Sequence, residues 1–324
     1  MRSVGEHPLV STVIPVFNRP LRLREAVASV LAQDWRSLEI IIVDDGSTDG
    51  GATWSVAEAL IAENPGSVVG LRQANAGPGA ARQRGVSAAQ GEFLQFLDSD
   101  DVYHPQKTSR LMRALEKAPS AGIAYCDSVR RSSNGIVGPD TGHRGSETHH
   151  TIFPALLEGR LWHTNAVLYR RSVVEQAGGW PTLRQCEDWL FDATVGATGV
   201  RLTHVPEALV ELRSHADSGE HLGHAWRRNS DRHRERCEAL LGVLTQAQRV
   251  GVPRASNEMR RFVRTLFFEA RLAAVAGLEP EAQRMLAAAE RLAVEMGWQL
   301  SLFRMMASVI GWSRAGRLAS AAFG

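Results

Sequence analysis

Cysteine is scarce in this chain of 324 residues: there are three, Cys126, Cys186 and Cys237. They form neither a paired metal knuckle nor a disulfide framework, so a reducing, cytoplasmic setting is the simpler expectation. Long apolar runs are missing too. No stretch of eighteen apolar residues occurs, which argues against a spanning helix, and the opening MRSVGEHPLV lacks the apolar core of a secretory leader. Charge of one sign is nearly absent as a net quantity. With 37 Lys+Arg against 35 Asp+Glu the formal charge is +2, so composition gives no reason to expect a nucleic-acid partner. Lysine occurs only at Lys107 and Lys117, and arginine carries the rest of the positive charge. What is present is ordinary for a folded chain: 44% hydrophobic and 22% charged residues supply a core and exclude wholesale disorder. The length suits one large domain or two ordinary ones.

From residue 9 to about 126, short apolar runs alternate with segments of helical spacing. Leu9 to Val16, Leu38 to Val43, Val68 to Leu71, Phe93 to Leu97 and Ile123 to Tyr125 read as buried strands. Leu23, Val27, Val30 and Leu31 share one helical face, as do Leu111, Met112 and Leu115. Such alternation predicts an α/β fold with βαβ units and a Rossmann-like, mostly parallel sheet. Asp49 is placed to cap the helix that follows it, and Pro105 suits the first turn of another. Residues 130–150 read as a loop. Strands at Ala166 to Tyr169 and Ala208 to Leu212 flank a helix from about Asp188. Beyond residue 221 the pattern is helical, through Phe262 to Ala276, Glu281 to Met296 and Leu302 to Ser320.

The chemistry gathers where strands end. Strand two ends in Asp44-Asp45, strand four in Asp98-Ser99-Asp100-Asp101, and the first in a loop bracketed by Pro15 and Pro20. In open α/β sheets ligands bind beyond the carboxyl ends of the strands. Carboxylates crowded at one rim repel unless a cation or hydrogen bonds offset them, and hard oxygen donors suit Mg²⁺ or Mn²⁺. Each acidic pair alone is ordinary turn chemistry; the joint register is the signal.

The run STVIPVFNRPLRLREAVASVLAQDWRSLEIIIVDDGSTDG resembles the opening of family-2 glycosyltransferases of the GT-A fold. NAGPGAARQRGV and GEFLQFLDSDD resemble the next two signatures of that family. RSVVEQAGGWP, CEDWLF and ELRSHADS resemble its acceptor-side and closing segments. The resemblance covers residues 9 to about 218. It implies a catalytic domain over 1–220, with a nucleotide half at about 9–126 and an acceptor half at about 150–220, and a helical C-terminal region over 221–324.

It also implies roles. Pro15, Val16 and Phe17 would line a nucleotide pocket; Asp45 would receive hydrogen bonds from the base, with Asp44 bracing the loop. Gly77 and Arg82 would approach nucleotide and sugar, Asp98 and Ser99 the ribose or donor sugar. Asp100 would ligate Mn²⁺ or Mg²⁺, joined by His215. Gly179 and Trp180 would meet the acceptor, Trp180 as a platform for a sugar ring. Asp188, beside Glu187, would be the base of an inverting displacement. The donor would be a nucleoside-diphosphate sugar, a UDP-sugar foremost, and the acceptor a hydroxyl on a glycan, lipid-linked sugar or natural product. His163 reads as structural. A helix start equally explains Glu187-Asp188.

Three rivals stand beside this. A signalling receiver domain carries its acidic pair after the first strand, not the second, and needs a lysine that is not near. A non-catalytic nucleotide-sugar scaffold would not need Asp45, Asp98, Asp100, Asp188 and His215 together. A processive synthase lacks support, having neither spans nor a QxxRW motif here. The tail, with Arg304, Arg314 and Arg317 among apolar residues, suits either helix packing and a homodimer or peripheral contact with the inner face of a membrane; packing or a dimer is favoured.

Overall fold

A computed structural model describes residues 7–132, 135, 137–140, 146–213 and 229–323. Two compact units divide the chain: Met1–Ile152 with Arg160–Gly219, and Phe153–Gly159 with Glu220–Gly324.

The first unit is built on one sheet. Its strands are β1 (Val10–Val16), β2 (Leu38–Asp44), β3 (Val68–Arg72), β4 (Phe93–Phe96), β5 (Val102–Tyr103), β6 (Ala121–Arg131), β7 (Val137–Pro139), β8 (Val167–Arg170) and β9 (Arg201–Arg213). The order is β3-β2-β1-β4-β8-β6-β9-β5, with β7 added on β6. β1, β2, β3 and β4 pair in parallel, which brings their carboxyl ends to one rim. β8 runs antiparallel to both β4 and β6. Every residue of β1 is buried, as a parallel strand covered on both faces requires.

Around the sheet lie α1 (Pro20–Leu31), α2 (Ala52–Glu63), α3 (Pro78–Ala88), α4 (Lys107–Lys117), α5 (Arg171–Gln176) and α6 (Glu187–Gly196). Pro20 opens α1, where a missing N–H costs nothing. Leu23, Val27 and Val30 face the core, whereas Leu31, expected on the same face, is 38% exposed in the last turn. Asp49 does cap α2: its Oδ2 accepts from the Thr53 N–H at 3.0 Å and the Thr53 hydroxyl at 2.6 Å. Pro105 falls two residues before the first residue of α4 rather than within its first turn.

Two strands outrun their sequence signal. β6 continues to Arg131 and β7 pairs with it, so part of the expected loop over 130–150 is strand; residues 133–134, 136 and 141–145 lie outside the described residues. β9 begins at Arg201 because it pairs in parallel along β6, with the register slipping between Cys126–Val205 and Asp127–Ala208. That irregularity absorbs Pro206, which cannot donate to a ladder.

The second unit is helical: α7 (Ser230–Arg249), α8 (Asn257–Val275), α9 (Glu279–Leu292), α10 (Gly297–Ile310) and α11 (Trp312–Phe323). Asn229 and Ser256 cap the first two through their side chains. The single helix expected over Leu302 to Ser320 is two, because Gly311 takes φ +83° between them. A 3₁₀ turn, Ala155–Glu158, belongs to this unit; Leu156 and Leu157 are buried and Arg261 pairs with Glu158 at 2.9 Å. No helix among the described residues is long and apolar enough to cross a membrane.

Candidate active site

The parallel register sets the first wall of the site. Val16 lies opposite Asp44 and Pro15 opposite Val43, so the β1 and β2 loops leave the sheet side by side. Asn18, at φ +53°, ties them: it accepts from the Thr48 N–H at 2.7 Å and donates to the Thr48 hydroxyl at 3.1 Å. Phe17, 42% exposed, presents its ring at this edge while Pro15 and Val16 are buried behind it. Asp44 braces the turn, accepting from the Ser47 N–H at 3.0 Å, with Arg72 at 3.2 Å from its other oxygen. The Asp45 carboxylate receives the Gln73 amide and the Ala76 and Gly77 N–H groups, each at 2.8 Å. Asp45 therefore folds the 73–77 loop over the rim. Gly77 sits at φ +94°, and a Cβ there would lie 2.7 Å from Arg184 Cγ; only glycine permits that approach.

The second wall joins β4 to α6 through Arg82. This guanidinium is 5% exposed and donates through Nη2 to Asp98 Oδ1 at 2.7 Å and through Nη1 to Glu187 Oε1 at 2.8 Å. Asp98 and the Glu187-Asp188 pair, far apart in sequence, are thus one charge cluster. Burial pushes Asp98 up, but Arg82, His163 and Arg19 together hold the carboxyl below its ordinary value. Glu187 goes the other way: burial and the neighbouring Asp188 charge push it up to about 7 against the pull of Arg82. Asp188 is held below the usual carboxylate range because Arg160, and then Arg82, overcome its burial. Asp188 is therefore ionised at neutral pH, and its side chain is 29% exposed.

The Asp98–Asp101 segment fans out. The Asp98 N–H donates to Asn165 Oδ1 at 2.9 Å, and Asn165 donates onward to Asp101 Oδ2 at 2.6 Å. Asp101 also accepts from the Arg213 N–H at 2.8 Å. Its pKa stands well above the ordinary value, through burial and then the charges of Asp100 and Asp98. Asp100 pairs with Arg19 at 2.6 Å. Ser99 is buried. One donor atom each from Asp98, Asp101 and His163 lies within 4.8 Å of the others. Two carboxylates and an imidazole fit a divalent cation of the Mn²⁺ or Mg²⁺ kind. Among the described residues the convergent set is Asp98, Asp101 and His163; Asp100 pairs with Arg19 beside it, and the expected partner His215 lies outside the described residues. His163, read as structural, joins the cluster instead.

Trp180 needs correction. It is 4% exposed, stacked on Phe191 at 4.0 Å between centroids, edge-on to Phe96 and covered by the Arg82 guanidinium at 4.6 Å. The indole is core, not an open sugar platform. Gly179, at φ +82°, makes the turn that delivers it, and a Cβ there would meet Gln83 Oε1 at 2.1 Å. Residues given no role by the sequence also hold the site: Arg19, Arg160, Asn165 and Asp192. Asn165 stands two residues from His163, and its burial and its bond to Asp101 are visible only in the fold.

The model for Glycosyl transferase family 2 matches residues 11–176, and the chain is a member of that family. Among curated proteins it is 33% identical over 172 residues to an uncharacterised glycosyltransferase of Nostoc sp., covering 52% of each chain. To the putative glycosyltransferase EpsH of Bacillus subtilis it is 30% identical over 223 residues, 66% of this chain and 63% of that one. The chain spans about half, or less, of the length of the first relatives it matches. Among solved structures, S. aureus TarS 1-349 in complex with UDP superposes with a TM-score of 0.70 at 18% identity, covering 98% of this chain and 92% of that one. The mannosyltransferase PcManGT of Pyrobaculum calidifontis, solved with GDP-Man and Mn²⁺, gives 0.57 at 18% identity, covering 97% and 87%. These likenesses establish the GT-A fold with its helical C-terminal region.

Proposed function

We propose that the protein is an inverting glycosyltransferase, moving a sugar from a nucleoside-diphosphate sugar, UDP-linked foremost, to an acceptor hydroxyl. The observation that carries this reading is the Arg82 bridge. One buried guanidinium holds the donor-side carboxylate Asp98 and the helix start that presents an ionised, part-open Asp188. Family membership and the UDP and GDP-Man complexes of its structural neighbours support the donor class.

In the proposed reaction, the acceptor oxygen bonds to the anomeric carbon as its proton passes to the Asp188 carboxylate. The carbon–oxygen bond to the β-phosphate breaks on the opposite face, and its electron pair leaves with the nucleoside diphosphate. Base catalysis of this kind contributes about 10²–10⁴-fold. Phe17, Asp45 and the loop over 73–77 receive the nucleotide. Asp98, Asp101 and His163, with Asp100 beside them, would hold a divalent cation, which would supply positive charge to the diphosphate. Arg19, now on Asp100, adds a cation at the same rim. The acceptor remains a glycan, a lipid-linked sugar or a small natural product as a class.

The test is to incubate the protein with UDP-, GDP- and dTDP-sugars and a panel of hydroxyl acceptors and to read the product by NMR. Inversion of the donor's anomeric configuration is expected. A product of retained configuration would remove Asp188 from the role of base.

A further inference from the structure

Helix α6 carries Asp188 and Asp192 four residues apart, so both side chains rise on one face. A single guanidinium, that of Arg160, sits between them. Its Nη1 donates to Asp188 Oδ2 at 2.7 Å, while Nε and Nη2 donate to Asp192 Oδ2 at 3.0 and 2.9 Å. Nη2 also reaches the Thr164 hydroxyl at 3.2 Å, and Trp162 Nε1 donates to the far oxygen of Asp192 at 3.3 Å. Asp192 is 1% exposed and the Arg160 side chain 11%, whereas Asp188 at the end of the frame is 29% exposed. The remaining Asp188 oxygen, Oδ1, receives the N–H of Trp189 at 2.7 Å.

We propose that Arg160 is a positioning residue: anchored on buried Asp192, it locks the Asp188 carboxylate in the orientation that offers its open edge to the acceptor hydroxyl. This rests on the reading of Asp188 as the base. An aspartate in the first turn of a helix has a resting attraction to the backbone N–H groups there. A donor on one oxygen alone leaves the carboxylate free to swing; a second, rigid donor on the other fixes its plane. Arg160 fills that role because its planar fork spans two carboxylates at once, which the point charge of a lysine does not. A base misplaced by about 1 Å loses on the order of 10²-fold in rate.

Donor turnover, read as nucleoside-diphosphate release, and donor affinity, read by calorimetry, are measured for Arg160→Gln, Arg160→Lys, Asp192→Asn and Asp188→Asn. For Arg160→Gln, kcat falls roughly 10- to 100-fold at unchanged donor affinity, and Arg160→Lys recovers part of the loss. Wild-type kcat in Arg160→Gln overturns the proposal. So does an equal loss of donor affinity that lysine does not repair, which marks a merely structural arginine. If Arg160→Gln does not fold, Arg160→Lys and Asp192→Asn decide: lowered kcat at unchanged affinity supports the clamp, and wild-type kcat in both sinks it. Asp188→Asn separates the two readings. Full turnover there removes the base itself; lost turnover there with silent Arg160 variants removes only the clamp.

Discussion

Asp188 and Asp98 are held by different arginines, so their removal has different consequences. Asp188→Asn keeps the shape of the side chain and removes the proton acceptor; turnover is expected to fall about 10²–10⁴-fold with donor affinity unchanged, and a weakened donor complex would reassign the residue. Arg82→Met breaks a buried pair with Glu187 and a part-buried one with Asp98, and leaves both acids facing Asp188 without their cation. Breaking a buried pair costs about 3–5 kcal/mol, so urea unfolding is expected to shift by that order, and donor binding to weaken with it. An unchanged midpoint would show that water, not Arg82, screens these acids. At this scale the sequence was informative about polar residues near motifs and silent about distant partners. Asp188 could be singled out from Cys-Glu-Asp-Trp, but Arg160 stands 28 positions earlier in a segment with no spacing relation to it. Trp180 was misread because its burial depends on Phe96 and Phe191, which only the fold brings onto the ring.

Elements were legible where period and length agreed. The parallel core from β1 to β4 followed from buried Val/Ile runs, whereas β9 was read short because Pro206 interrupts its pattern, and the α10–α11 break at Gly311 was read as continuous helix. Helix α4 holds a feature that periodicity hides. Lys107, on its first turn, is fully buried, donates to Gln95 Oε1 at 2.9 Å and lies 4.0 Å from the Tyr103 ring centroid. Burial lowers its pKa to about 7 from 10.5. Between those values the unfolded chain binds more protons than the folded one, so this group makes stability rise with pH across that window. Below about pH 7 the burial penalty is felt in full. The stability of Lys107→Met relative to the parent is therefore expected to be most favourable at pH 6.5 and to decline by pH 9.5, measured as the difference in urea midpoints. A difference independent of pH would show that Lys107 keeps its charge when folded.

The two units impose a constraint on the whole molecule. Phe153–Gly159 lies between β7 and β8 in sequence but belongs with the C-terminal helices. Leu156 and Leu157, buried in that unit, lose their cover if residues 220–324 are removed, and each such side chain is worth about 1.5–3 kcal/mol when buried. A fragment ending at residue 219 is expected to aggregate or melt early, and Leu156→Ser with Leu157→Ser to restore its solubility. A fragment as well behaved as the full chain would show that this turn does not need the helices. Sequence pattern placed the helical region at about 221 but gave no sign of the seven-residue segment, since a short Ala-Leu-Leu-Glu run carries no address. The central claim for the whole chain is that this rim receives a nucleoside-diphosphate sugar with a divalent cation. It is tested most directly by calorimetric titration of UDP, GDP, dTDP and their sugar conjugates, each with Mn²⁺ and with EDTA. Saturable binding of one nucleotide class, lost with EDTA and weakened by Asp98→Asn, is the predicted result. Well-folded protein that binds none of them in either condition would contradict it.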